Sequence, residues 1–376
     1  MISPQCILLT LVLVWSWTVS ATAQELSFPL VLQSKEFLLK QRAELRAMSE
    51  PPLQFDVQQT VELTEIPQNT AEVKIWIALP SDAEHQKLLS MNIVDVPGRW
   101  EIVEDADKRG KFLQVRVEKP TIDALKFQVE FSLRRSPVLT EVDPERVAAL
   151  NDLEKSLLKE HLDRHSLHME VTAKVQQIAD DVCGEETNAA IQALAIMKHI
   201  AAKVDHYSYS KDPDMPRCGV GDAEHCLAQG GGCCTDLNSL FIALARARGI
   251  PARLQMGYRL LSENEGKLVD PGYRCWVEYF VPAYGWISAD VVEADRPDGQ
   301  GEVRWLTGLT ANRIWLNQGR NFRFKDTTVS EPINHMNIAY AEIDGKEARL
   351  LPIGGKQPQI QRKVIFTSSR TNSSDK

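Results

Sequence analysis

The sequence predicts an α+β protein in which an antiparallel β-domain precedes a mixed core of helices and strands. Three observations carry this. Between residues 55 and 137, apolar and polar residues alternate in short runs separated by turn residues. Between 141 and 204 the apolar period lengthens to that of helices. From Asp236 an amphipathic helix is followed by three further strand-like runs.

The first residues differ in kind from the rest. Cys6 to Val19 (CILLTLVLVWSWTV) is an uncharged apolar run, too short to span a bilayer comfortably. It ends in Ser20-Ala21-Thr22-Ala23, with small residues at cleavage spacing. Residues 1–23 are therefore expected to be a secretory signal peptide cut after Ala23. Because MISPQ carries no Lys or Arg, an uncleaved N-terminal anchor stays as the minority alternative. No later run is long and apolar enough to span a membrane. The mature protein is expected to be soluble, and secreted or held in the periplasm or cell envelope.

Residues 24–54 form a helical or linker segment (KEFLLKQRAELRAM), broken by Pro51-Pro52. Residues 55–140 read as a small sandwich. In AEVKIWIALP, Val73, Ile75 and Ile77 alternate with Lys74, Trp76 and Ala78, and KFLQVRVEKP and LKFQVEFSLRR repeat the pattern. A core is expected over 141–300. Val147, Leu150, Leu153, Leu157 and Leu158 share one helical face. Helices are expected at 169–183 and 188–204, followed by a long polar loop from Ser208 to Gly232. Leu237, Leu240, Phe241 and Leu244 line one face of a helix from Asp236 to Arg248, stopped by Gly249 and Pro251. Strands are expected at 253–261, 273–281 and 286–292. Residues 301–365 read as a C-terminal extension packed on the core, with a strand at 337–343. Residues 366–376 read as a disordered polar tail.

The chain has 376 residues, 43% of them hydrophobic and 25% charged, with a formal net charge of -8. That balance disfavours a general nucleic-acid or anionic-membrane role, since both need a basic face. Of seven cysteines, Cys6 lies in the signal; Cys183, Cys218, Cys226, Cys233, Cys234 and Cys275 remain. Export permits disulfides, and Cys218 with Cys226 is the expected pair. Five of the six fall between Cys218 and Cys275, which suggests a site.

GGGCCTDLNSLFIALARARGIPAR, from Gly230 to Arg253, places Cys234 after three glycines and at the first turn of a helix. Glycines let the backbone turn sharply and leave a substrate room to approach. A helix N-terminus favours a thiolate and lowers a thiol pKa. Its N–H groups can also hold an oxyanion. In isolation a Cys pair is more often a core or disulfide pair; this context favours a nucleophile position.

GGGCCTDLNSLFIALARARGIPARLQMGYRL resembles the nucleophile segment of the transglutaminase-like superfamily. YRCWVEYFVPAYGWISAD resembles its second segment, in which a His two residues before the Trp precedes a hairpin ending in Gly-Trp and then the Asp. VDHYSYSKDPD, LTGLTANRIWLNQGRNF, AYAEIDGK and FDVQQTVEL with VKIWIALPS are similar to the flanking regions of exported bacterial members. The resemblance implies a papain-like, transglutaminase-like α+β core, with a Cys-bearing helix on an antiparallel sheet. It implies acyl transfer through a thioester on protein or peptide amides, by cross-linkers, peptidases or deglycosylating amidases, without a cofactor.

Residue by residue, Cys234 matches the nucleophile and Asp290 the orienting carboxylate. The histidine position is Arg274. Tyr207 and Tyr209 lie near where the family often supplies oxyanion-site residues. Trp276 and Trp286, with Tyr284, are expected in the hairpin core and cleft wall. Asn238, four residues after Cys234, shares its helix face and can donate a hydrogen bond.

Arg274 changes the chemistry. A general base must take up and release a proton near the working pH, and arginine stays protonated. It can stabilise a thiolate or pair with Asp290, but it cannot shuttle protons. His206 and His225 are the other imidazoles near the motif, each read first as a surface or loop residue. His161, His165 and His168 are spaced i, i+4, i+7, a geometry open to a metal, but HExxH is absent and a solvated helix face is the better reading. No metal site, phosphate loop or dinucleotide fingerprint is expected.

Two functions stay open. One is an exported binding or scaffold module that grips a protein, a peptide or a cell-envelope polymer. The other is an active thiol acyltransferase or cysteine peptidase working through Cys234.

Overall fold

The computed structural model describes residues 29–40, 50–215, 220–294, 306–336, 339–348 and 358–371. In chain order, helix α1 covers residues 29–40. Six strands follow: β1 (Leu53–Thr64), β2 (Glu72–Leu79), β3 (Gln86–Asp95), β4 (Arg99–Glu104), β5 (Lys111–Glu118) and β6 (Leu125–Arg135). Helices α2 (Asp152–Leu157), α3 (Ala173–Cys183), α4 (Ala189–Lys203), α5 (Ala223–Gln229) and α6 (Cys234–Ala247) come next. Then come β7 (Ala252–Arg259), β8 (Tyr273–Val281), β9 (Gly285–Ala289), helix α7 (Val291–Ala294), β10 (Arg313–Gln318), β11 (Ala339–Ile343) and β12 (Gln359–Arg370).

These elements form two compact units, each drawn from three stretches of chain. A helical unit takes 1–48, 139–253 and 277–308, and a β unit takes 49–138, 254–276 and 309–376. Two of the crossings from one unit to the other fall inside strands, β7 and β8.

Among the described residues, two antiparallel sheets lie wholly within the β unit. The first has the order β12-β1-β6-β3. Its inward residues alternate as the sequence predicts: Phe55, Val57, Val61 and Leu63 of β1 stand in register with Leu133, Phe131, Phe127 and Leu125 of β6. The second runs from Lys346–Glu347 through β11, β2 and β5 to β4. Val73, Ile75 and Ile77 share one core with the first sheet. The other face of β2 is not wet, as a simple alternation would have it. Trp76 is buried there, its indole N–H donating to Gln114 Oε1 at 3.1 Å. Phe324 lies 5.9 Å from Trp76 and 4.8 Å from Phe112, on a loop closed by Phe322 and Ile333. A sheet covered on both faces loses the polar half of its alternation.

The C-terminal stretch departs from the sequence reading. Instead of an extension on the core and a disordered tail, β12 pairs with β1 along its whole length, from Leu53↔Arg370 to Thr64↔Gln359. Polar TSSR thus closes a sheet, because an edge strand needs one apolar face only: Val364 and Phe366 point inward. The expected amphipathic helix after Pro144 is also reduced. It becomes the six-residue α2, capped by Asn151 and Glu154, and Leu153 and Leu157 are exposed.

In the helical unit α6 is the central element. Every residue from Cys234 to Arg246 is buried, and α3, α4, α5 and α7 pack against it. Phe241 meets Tyr279 of β8 at 5.9 Å, which sets the hairpin of β8 and β9 on the helix. At the far end Arg246 donates to the carbonyls of Asp163 and Ala252 and to Ser166 Oγ. Among the described residues no helix is long and apolar enough to cross a membrane.

Candidate functional site

Gly230 ends α5 with a left-handed φ of 70°, and the other two glycines are explained by close approaches. Residues 205–206 pair in parallel with 231–232, and Tyr207 N–H donates to Gly232 O at 2.8 Å. A Cβ at Gly231 would lie 2.2 Å from Asp205 O, and one at Gly232 would lie 2.7 Å from Asp236 Oδ2. No side chain fits at either position.

The two cysteines that follow have different places. Cys233 is the N-cap of α6, and Cys234 is its first helical residue, about 5% exposed. Asp236 locks the turn: its Oδ2 accepts from Cys233 N–H at 2.9 Å and its Oδ1 from Asp222 N–H at 3.0 Å. Burial first, then the neighbouring Cys233, pushes the Asp236 carboxyl up to about 6. Asp222 in turn caps α5 through His225 N–H and lies 3.4 Å from His168 Nδ1. The sequence reading missed this Asp222–Asp236 link; an Asp directly before a short helical run (GDAEHCLAQ) was its available signal. Asn238 is buried, and its amide donates to Cys234 O at 2.7 Å.

Asp290 is buried where β9 gives way to α7. The expected strand to Val292 stops at Ala289, because Asp290 Oδ1 accepts from Val292 N–H at 3.0 Å and Glu293 N–H at 3.1 Å and so starts a helix. Since α7 packs on α6, Cys234 and Asp290 belong to neighbouring elements. Arg274 and Trp276 lie on the first half of β8, in the β unit; Arg274 is half-buried and Trp276 buried.

His206 departs from the surface reading. It is buried, backbone-paired with Gly232, and its Nδ1 lies 2.6 Å from Ser208 Oγ. Its ring contacts Tyr207 at 4.6 Å and Tyr209 at 5.6 Å. Tyr207 is exposed and Tyr209 half-buried. His225 is half-buried on α5.

Trp286 lies elsewhere. It pairs with Phe280, one residue out of phase with Tyr279, so it stands on the hairpin face away from Phe241. Arg253 covers its ring at 3.9 Å and is itself paired with Glu278 at 2.7 Å. His161 meets its edge at 4.9 Å. Burial, then Arg253 and Arg246, lowers His161 to about 4. Arg246 sits twelve residues beyond Cys234 on α6, about 18 Å along the axis. The Trp286 cluster is therefore at the other end of the helix from Cys234. Tyr284 is likewise engaged in structure, bonding the Asp143 backbone at 2.9 Å.

The His161, His165 and His168 trio does not lie on one helix face. A short 3-10 turn ends at Leu162, and His168 has a positive φ of 72°. No group of three or more potential metal ligands occurs among the described residues. Cys183, Cys226, Cys233, Cys234 and Cys275 are not joined in disulfides, so Cys226 is not in the expected pair; Cys218 lies outside the described residues. Burial raises the Cys226 thiol well above its ordinary value and Cys183 to about 12.

Residues 176–291 match the family described as the transglutaminase-like superfamily. An uncharacterized protein of Haemophilus influenzae is 26% identical over 322 residues, covering 77% of this chain and 86% of the relative. A candidate cysteine protease from Cytophaga hutchinsonii superposes with a TM-score of 0.54 at 15% identity, over 86% of this chain and 92% of that one. The periplasmic domain of TgpA from Pseudomonas aeruginosa matches with a TM-score of 0.28 at 17% identity, over 62% of this chain and 92% of that one. The segment that carries Cys234, Arg274 and Asp290 is a transglutaminase-like domain, with the papain-like α+β fold expected from its two motifs.

Proposed function

We propose that this is an exported transglutaminase-like protein whose Cys-Arg-Asp set no longer performs Cys-His-Asp catalysis. It works as a binding or scaffold module for a protein, a peptide or a cell-envelope polymer. The observation that carries this is Arg274, at the position where the family motif has its histidine. An arginine carries charge but does not exchange a proton near neutral pH. The state of Asp290 supports it, since one carboxylate oxygen already accepts two helix N–H groups. Export rests on the apolar run from Cys6 to Val19 and the Ala21-Thr22-Ala23 pattern. Mass spectrometry of the exported protein should find Gln24 at its N-terminus.

The test compares wild type, Arg274→His and Cys234→Ala in amine-incorporation and amidase assays. The expected result is no activity in wild type above Cys234→Ala. Wild-type turnover that disappears in Cys234→Ala overturns the proposal.

One observation favours the second reading, an active thiol acyltransferase or peptidase. His206 is buried and backbone-paired with Gly232, which stands two residues before Cys234. If that reading holds, His206→Gln abolishes a wild-type activity that Tyr207→Phe leaves in place.

A further inference from the structure

An aromatic side chain stands open beside the turn that carries Cys234. Among the described residues the exposed aromatic side chains are Tyr207 and Trp100, and Tyr207 is 38% exposed. Its place is fixed by backbone. Asp205 and His206 pair with Gly231 and Gly232, and Tyr207 N–H donates to Gly232 O, two residues before Cys234.

A single exposed ring is ordinary, but this one belongs to a group. The ring of buried His206 contacts Tyr207 at 4.6 Å and Tyr209 at 5.6 Å, and Tyr209 is half-buried. Beyond Tyr207 the chain folds back. The N–H groups of Tyr209 and Ser210 donate to His206 O, and that of Met215 donates to Asp212 O. The return sets the thioether of half-buried Met215 against the glycine turn, with its Sδ 2.9 Å from where a Cβ on Gly231 would stand. A Cβ on Gly230 would meet nothing within 4 Å, so space remains beside the turn. All of these residues belong to the helical unit. Tyrosine offers a large contact area with few torsions to fix, and a thioether adapts to the shape that it meets.

We propose that Tyr207, Tyr209 and Met215 form a subsite beside Cys234 for an aromatic or long aliphatic side chain of a polypeptide. The inference rests on the reading of the Cys234 region as a place that holds a ligand, and it narrows that ligand to a protein or peptide. A hydroxyl-rich polymer fits less well, because it needs strong hydrogen-bonding partners and a thioether is a weak acceptor.

The test is calorimetric titration of the full chain carrying Cys234→Ala, which cannot turn a peptide over. Whether wild type is catalytic is then decided by its own assay and leaves this result intact. The titrants are blocked pentapeptides Gly-Ser-Xaa-Ser-Gly with Phe, Leu, Ala or Glu at Xaa. The Phe and Leu peptides should bind at least about tenfold more tightly than the other two. Tyr207→Ser and Met215→Ser should each reduce the Phe-over-Ala preference at least about fivefold, and Leu153→Ser, exposed on α2, less than about twofold, with unchanged circular dichroism. Equal binding of the Phe and Ala peptides overturns the proposal, as does a preference indifferent to both Tyr207→Ser and Met215→Ser, or no binding of any peptide at millimolar concentration. Tighter binding of an N-acetylglucosamine tetramer that Tyr207→Ser abolishes would assign the face to a glycan and overturn it too.

Discussion

The carboxylate of Asp236 accepts the backbone N–H of Cys233 at 2.9 Å, inside the turn that delivers Cys234 to the start of α6. Its burial has a pH signature. The folded carboxyl titrates at about 6, against 3.8 as the ordinary value. Between these values the folded state keeps a proton that the unfolded chain has released. Stability therefore falls as pH rises from about 4 to about 6, by up to about 3 kcal/mol. Asp236→Asn should remove that fall in urea unfolding curves measured across the window.

His161 acts with the opposite sign over much the same range. Its folded pKa of about 4 lies below the ordinary 6.5. Here the unfolded chain binds the extra proton, so stability rises with pH from about 4 to about 6.5, by about 2 kcal/mol for a half-buried ring. His161→Phe keeps the edge contact with Trp286 and should remove that contribution. The two slopes oppose each other, and His199, lowered by burial, adds to the rise; relative to wild type, Asp236→Asn should steepen the rise with pH and His161→Phe should reduce it.

Gly231→Ala should cost at least about 3 kcal/mol, since a Cβ would meet the Asp205 carbonyl oxygen at 2.2 Å and backbone must move. Gly266→Ala is the control: a Cβ there meets nothing within 4 Å, so it carries only the strain of a positive φ, about 1 kcal/mol. Thermal melts of both variants would check the ranking.

Native thiol titration at pH 8 should leave Cys183 and Cys226 unmodified, because both thiols are buried and their pKa values raised. Peptide mapping after iodoacetamide treatment would identify any labelled cysteine. Full labelling should require urea.

Local pattern made much of the fold legible. The strand at Tyr273–Val281 has the bounds that its alternation gives, and α6 starts two residues earlier than its apolar face because the N-cap precedes the first apolar position. The place of Cys234 at the start of α6 is legible for a similar reason, since glycines, thiol and helix are contiguous. Relationships across long stretches of sequence were not legible. Nothing near Trp76 announces that Phe324, some 250 residues later, will cover it. Nothing near His206 announces Gly232 as its strand partner. Val291 and Val292 continue the apolar run and extend the expected strand through Asp290; its two helix N–H bonds appear only once the chain has turned.

The pairing of β1 with β12 has a consequence for biosynthesis. Its partners lie about 300 residues apart, among the most non-local contacts that a chain of this size can make. A ribosome releases β12 about 300 residues after β1, so the first sheet stays short of one strand throughout that interval. During that interval β1 offers an open hydrogen-bonding edge to any neighbouring chain. Chains that stop before Gln359 should yield aggregates rather than a smaller folded protein, and chaperone occupancy on the nascent chain should persist until β12 has emerged.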